Sequence, residues 1–274
     1  MAGVRYGNPK TGWEFFGTEL KRLREAAGLT QQQLGSRIFC SAAYIGQFET
    51  AIRKPQLYLA EQMDIVLGTD GLLGRLCKKL VESSPYVGYF AEAVYLEGIA
   101  VTIREFATMF VPGLLQTAAY ARAVCLASRP VAPEEWIENK VAARLDRGRL
   151  LDHPTKPAFW AVLDESVLRR VVGGAAVMHE QLRHLVELVQ RRRIILQVLP
   201  FGAGAPALSG MLTLMTFEDA PPVAYHEGPK TGNLLDDPAA VTHCELTYDH
   251  VRAAALSPEA SLTLIRSAAE DYAR

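Results

Sequence analysis

The chain has 274 residues, 49% hydrophobic and 22% charged, the profile of a soluble globular protein long enough for two ordinary domains. Its formal net charge of −1 excludes a chain-wide cationic field, so any hold on nucleic acid must come from a local patch. Residues 1–75 carry nine Lys/Arg against seven Asp/Glu, a balance of only +2.

Residues 1–12 read as a loose arm, in which Arg5 and Lys10 are either ordinary end residues or phosphate contacts. A helix is predicted over 14–27, with Phe16, Leu20 and Leu23 as its apolar stripe and Gly28 as its stop. Thr30 then caps a helix carrying Gln31, Gln32, Gln33, Leu34 and Ile38, its hydroxyl accepting from a first-turn N–H. Phe39-Cys40 interrupts the pattern, and Ser41 caps a second short helix ending near residue 50. In that helix Ile45 and Phe48 share one face, while Ala42, Ala43, Tyr44 and Gln47 point elsewhere. Helices this short are unstable alone. Flanking helices predicted over 14–27, 56–67 and 72–81 cover them, giving an all-α bundle of four or five helices over 13–80.

The stretches LKRLREAAGLTQQQLGSRI, SAAYIGQFET and RKP closely resemble the phage-repressor, or XRE-type, helix-turn-helix domain. The resemblance rests on the Leu/Arg-rich first helix, GLTQ, Leu34, Ile38, Ile45, the Phe48-Glu49 pair and the Arg-to-Pro loop. Two positions depart from it. Phe39 stands where the family usually has Gly in the turn, and Thr50-Ala51 where it has Gly or Asn. The resemblance implies that the helix from Ser41 lies in the DNA major groove. Ala42, Ala43, Tyr44 and Gln47 then hold the base-reading positions, Gln47 as the one able to bond adenine through two atoms. Gln31, Ser41, Arg53 and Lys54 match phosphate contacts. Arg24 and Glu49 match an internal salt bridge. So few polar readers imply that DNA shape and phosphate contacts carry much of the specificity.

After residue 82 the character changes. Residues 82–129 are apolar, aromatic and mostly uncharged, punctuated by Pro85, Gly98 and Pro112-Gly113. Helices are predicted over 86–96, 114–127, from Pro133, and over 175–190, 238–255 and 258–272. Strands are predicted over 100–106, 158–164, 194–199, 212–217 and 223–227. The fold class is therefore α+β, with a helical bundle followed by a larger domain over 85–272 in which helices cover a small sheet.

The motifs VPGLLQT…YAR (111–122), VLDESVLRR (162–170), QLRHL (181–185), QVLPFGAGA (197–205) and ALSPE (255–259) resemble a domain found behind XRE-type helices in many actinobacterial regulators. That domain long lacked an assigned function and is described as antitoxin-like. It implies a small partner protein encoded nearby, and no chemistry.

His179 and His184 are five apart, roughly 500° around a helix, so they diverge where a zinc motif needs convergence. The Gly-rich loop at 202–210 leads into a strand, whereas a phosphate cradle needs a helix start. Asp164-Glu165 and Asp236-Asp237 read as helix caps. Cys40, Cys77, Cys125 and Cys244 are too dispersed for a disulfide framework or zinc site and suit a reducing cytoplasm. The first 16 residues lack an apolar signal core, and no apolar run reaches the ~20 residues of a membrane helix.

The expectation is a cytoplasmic regulator, not an enzyme, with no metal and no cofactor. It would bind double-stranded DNA as a homodimer on a palindromic site. An antitoxin-like module that sequesters a small protein partner is the alternative. A third reading has Tyr86, Tyr89, Phe90, Phe106, Phe110 and Trp160 lining an apolar ligand pocket, although aromatics so spaced are more often core.

Overall fold

The computed structural model describes residues 9–82, 88–204, 210–218, 220–228 and 231–273. The chain divides into two compact units, residues 1–96 and 97–274.

The first unit is helical. It contains α1 (Pro9–Ala26), α2 (Gln31–Arg37), α3 (Ala42–Glu49), α4 (Leu57–Leu67), α5 (Leu72–Glu82) and residues 88–96 of α6 (Gly88–Ile99). Trp13, Phe16 and Leu20 of α1 meet Leu34, Ile45, Phe48, Met63, Leu73 and Cys77 in one core. The first helix starts earlier than predicted, at Pro9, a residue that a first helical turn accepts because no N–H is needed there. Gly28 ends α1 in the left-handed conformation (φ 69°). Asp64 of α4 is buried and accepts from the backbone N–H groups of Leu73 (2.9 Å) and Gly74 (2.7 Å). A carboxylate thus occupies the start of α5, where unsatisfied N–H groups favour negative charge.

The second unit is built on six strands in the order β3-β2-β1-β4-β5-β6. These are β1 (Thr102–Ala107), β2 (Ala158–Asp164), β3 (Ile194–Leu199), β4 (Leu212–Thr216), β5 (Val223–Gly228) and β6 (Thr231–Leu235). The β1–β2 and β2–β3 pairs are parallel and the others antiparallel. Parallel neighbours require helical crossovers. α7 (Ala118–Ser128) and α8 (Glu134–Gly148) link β1 to β2, and α9 (Glu165–Arg169) and α10 (Ala175–Gln190) link β2 to β3. Phe106, Val162, Leu212, Leu214 and Ala224 form a core with Val241, Cys244, Tyr248 and Val251 of α11 (Pro238–Ala254). α12 (Pro258–Asp271) packs against α10 and β3.

Two of the sequence motifs meet inside this unit through one amide. Gln181 of α10, fully buried, donates to Leu115 O (2.7 Å) and accepts from Thr117 N–H (2.8 Å). Gln116 donates back to Val111 O (2.6 Å), and the Tyr120 hydroxyl accepts from Val111 N–H (3.2 Å). The 111–122 motif is therefore a non-helical crossing whose backbone groups, buried away from water, need side-chain partners. It also explains why the helix predicted from 114 begins at Ala118. Residues Gly113–Leu115 form a 3-10 turn, and the Thr117 hydroxyl caps α7.

Candidate nucleic-acid interface

α2 and α3 are set by their caps and by one buried ion pair. Thr30 and Gln33 form a reciprocal capping box, Thr30 Oγ1 accepting from Gln33 N–H (3.1 Å) and Gln33 Oε1 from Thr30 N–H (2.8 Å). Ser41 Oγ accepts from Tyr44 N–H at the start of α3 (3.3 Å). Ile45, Phe48 and Glu49 turn inward. Ala43 is exposed, while Ala42, Tyr44 and Gln47 are half-buried. Ala43 and Gln47 therefore lie on the side of α3 away from its core residues, while Tyr44 packs against the core with its ring 5.7 Å from that of Phe48.

Arg24 holds Glu49 with both Nε (2.5 Å) and Nη2 (3.1 Å), and its Nη1 donates to Leu29 O (2.7 Å). Both side chains are buried, and the hydrogen bonds to Glu49 raise the guanidinium pKa. The Gln31 amide donates to the second oxygen of Glu49 (2.9 Å). One carboxylate thus fixes α1, the start of α2 and the end of α3. Gly17 lets α1 approach that end, since a Cβ there would stand 2.4 Å from Glu49 O.

The two departures from the helix-turn-helix pattern both fall on left-handed backbone. Phe39 has φ 58° and Ala51 has φ 56°. Each non-glycine residue in that conformation is strained by roughly 1–2 kcal/mol.

Arg53 and Lys54 are not open surface cations. Arg53 is only 8% exposed. Its Nε lies 3.5 Å from Glu92 Oε1 on α6, its guanidinium stacks 4.5 Å above the Tyr44 ring, and its backbone N–H donates to Gln47 O (3.1 Å). Lys54 Nζ donates to Ala91 O (3.2 Å) and lies 4.5 Å from the Tyr95 ring centroid and 5.4 Å from that of Trp13. Burial pulls the Arg53 guanidinium down, with Glu92 opposing, and pulls the Lys54 ammonium to about 8. Burial pushes the Glu92 carboxyl up, against the pull of Arg53 and Lys54. Reasoning from sequence missed α6 as a part of this site. Its only signal was Glu92 set in an otherwise apolar stretch.

The aromatic set expected to line a pocket is divided between the two units. Phe90 belongs to the first unit, and Phe106, Phe110 and Trp160 to the second. Phe106 is 1% exposed and packs in the core under α11. Trp160 Nε1 donates to Gln197 (2.9 Å), with the Arg252 guanidinium 5.0 Å from its ring centroid. Arg5, Tyr86 and residues 205–209 of the Gly-rich loop lie outside the described residues, as do the side chains of Lys10 and Tyr89. The structure also sets His226 Nε2 3.3 Å from Cys244 Sγ, a contact that sequence distance concealed. Burial raises the thiol and lowers the imidazole pKa, so both stay neutral near pH 7. Among the described residues no three His, Cys, Asp or Glu side chains gather as for a metal ion. No helix of the described residues is long and apolar enough to cross a membrane.

Comparison with known families agrees with the two-unit layout. A model for a helix-turn-helix domain matches residues 16–76. A model described as a domain of unknown function (DUF5753) matches residues 90–267, well over half the chain. No curated protein and no solved structure shows a match.

Proposed function

We propose, from the premise that the chain belongs to the DUF5753 family and carries a helix-turn-helix domain at residues 16–76, that it is a sequence-specific DNA-binding transcriptional regulator of the XRE type. α3 enters the major groove, with Gln47 bonding adenine and Ala42 and Ala43 meeting thymine methyl groups. Gln31 and Ser41 reach phosphates at the two helix starts. The chain acts as a homodimer on a palindromic operator, and the second unit supplies the dimer contact and the response to a partner or ligand.

The observation that carries this reading is the Arg24–Glu49–Gln31 network. It locks α2 and α3 while leaving Ala43 and Gln47 on the side away from the core. A helix that must read base edges has to be held within a fraction of an ångström by something behind it.

Fluorescence anisotropy on the DNA upstream of the chain's own gene tests the proposal. Gln47→Ala should weaken specific binding by about 1–3 kcal/mol and leave binding to unrelated DNA unchanged. In a dimer the two α3 helices should stand ~34 Å apart, one turn of DNA. Failure of the unaltered chain to bind any duplex would refute the reading.

A further inference from the structure

We infer that Glu92 of α6 acts as an internal stand-in for a DNA phosphate, holding Arg53 and thereby limiting how tightly the chain binds DNA of any sequence. The inference rests on the DNA-binding reading above.

Three observations carry it. First, the two consecutive cations of the loop after α3 are both engaged by a single stretch of α6. Glu92 pairs with Arg53 at 3.5 Å, Ala91 O accepts from Lys54, and the Tyr95 ring lies under the same ammonium. Second, Arg53 is at the edge of the proposed reading helix. Its guanidinium covers Tyr44 and its N–H is bonded to Gln47 O, so a phosphate near either residue would come within reach of it. Third, the Arg53–Glu92 contact is long for an ion pair, 3.5 Å, whereas the Arg24–Glu49 pair is short and bidentate. Bidentate geometry marks the strong arginine–carboxylate pairs. The Glu92 side chain keeps 23% of its surface exposed, against 3% for Glu49. Arg24–Glu49 is thus built to stay closed, and Arg53–Glu92 is the one of the two suited to exchange.

A phosphate approaching Arg53 meets a guanidinium already neutralised and a carboxylate of its own sign. It must displace Glu92 or be repelled by it. Either way the carboxylate subtracts one phosphate contact from the interface, whatever the base sequence. Phosphate contacts supply affinity without sequence information, so weakening one lowers non-specific binding in particular.

The experiment uses the full chain and a labelled mixed-sequence duplex of about 30 base pairs, titrated across a salt series. Glu92→Gln should tighten binding at least about threefold near 0.1 M salt and steepen the slope of log K against log[salt] by about 0.9, one extra phosphate. Adding Arg53→Ala to Glu92→Gln should abolish the gain. An unchanged or weaker affinity in a folded Glu92→Gln chain overturns the inference. Loss of fold in both Glu92→Gln and Glu92→Ala, followed by circular dichroism, also overturns it, because a displaceable counter-ion must be dispensable for folding. The two readings fail differently. If the unaltered chain binds no DNA, the DNA-binding reading falls. If it binds and Glu92→Gln changes nothing, only the role of Glu92 falls.

Discussion

Arg24 on α1 and Glu49 at the end of α3, 25 residues apart in sequence, are joined by a two-pronged buried ion pair. Removing one partner leaves the other charged, buried and unmatched. Losses of about 3–5 kcal/mol follow from such changes. Glu49→Ala should therefore lower the stability of the first unit by about that amount, read from urea melts of tryptophan fluorescence. Because Gln31 also donates to Glu49, DNA binding should fall before the unit unfolds. A change under 1 kcal/mol, on the scale of ~0–1 kcal/mol for surface pairs, would show that the pair behaves as an exposed one.

Phe39 should be replaceable with a gain. Its side chain is 98% exposed and its backbone is left-handed. Glycine removes the Cβ clash that makes that conformation unfavourable, and no packing is lost. Phe39→Gly is expected to raise stability by about 1 kcal/mol, visible as a higher melting temperature. Lower stability would mean that the ring contributes to the fold after all.

Glu105 of β1 makes the second unit sensitive to pH. Burial, followed by repulsion from Glu97, pushes its carboxyl up to about 8, with Arg147 opposing and Glu227 adding to the rise. Arg147 and Glu97 are themselves a buried pair at 3.2 Å. In the unfolded chain the carboxyl returns to its ordinary value near 4.5. Between those two values the folded state binds more protons than the unfolded state. The stability contributed by protonated Glu105 is thus full below pH 4.5 and lost as pH rises through 8. The slope is up to about 1.4 kcal/mol per pH unit. Glu105→Gln should remove that slope and leave the variant more stable than the parent chain at pH 8, with little difference at pH 4.5. Chemical denaturation at several pH values measures it, and parallel curves for the two chains would contradict the assignment.

Much of the fold is legible without coordinates, for reasons that differ by element. Strands β2 and β3 and helix α10 begin and end where the sequence puts them. Their apolar runs or amphipathic periods are long and bounded by breakers. β6, TGNLL, lacks the β-branched and aromatic content of a strand, and α9 is a single turn. β6 exists because β5 places it, and no local pattern marked it, whereas α9 was marked only by its cap at Asp164-Glu165. The helix-turn-helix caps were readable because a cap is a contact between residues three apart. The contacts of Lys54 were not, because its acceptor Ala91 lies 37 residues away.

By itself the sequence determined the identity and order of most of the elements, β6 apart, the capped α2–α3 pair and the outward placing of Ala43 and Gln47 on α3. Each of these is written in spacings of two to four residues, the range over which backbone geometry alone relates side chains. Only tertiary structure decided which charges are available. Arg53 and Lys54 have the composition of a phosphate-binding loop, yet α6 buries them against Glu92, Ala91 and Tyr95. The state of a charge depends on the solvent and counter-ions around it, and those are assembled by packing between segments distant in the chain.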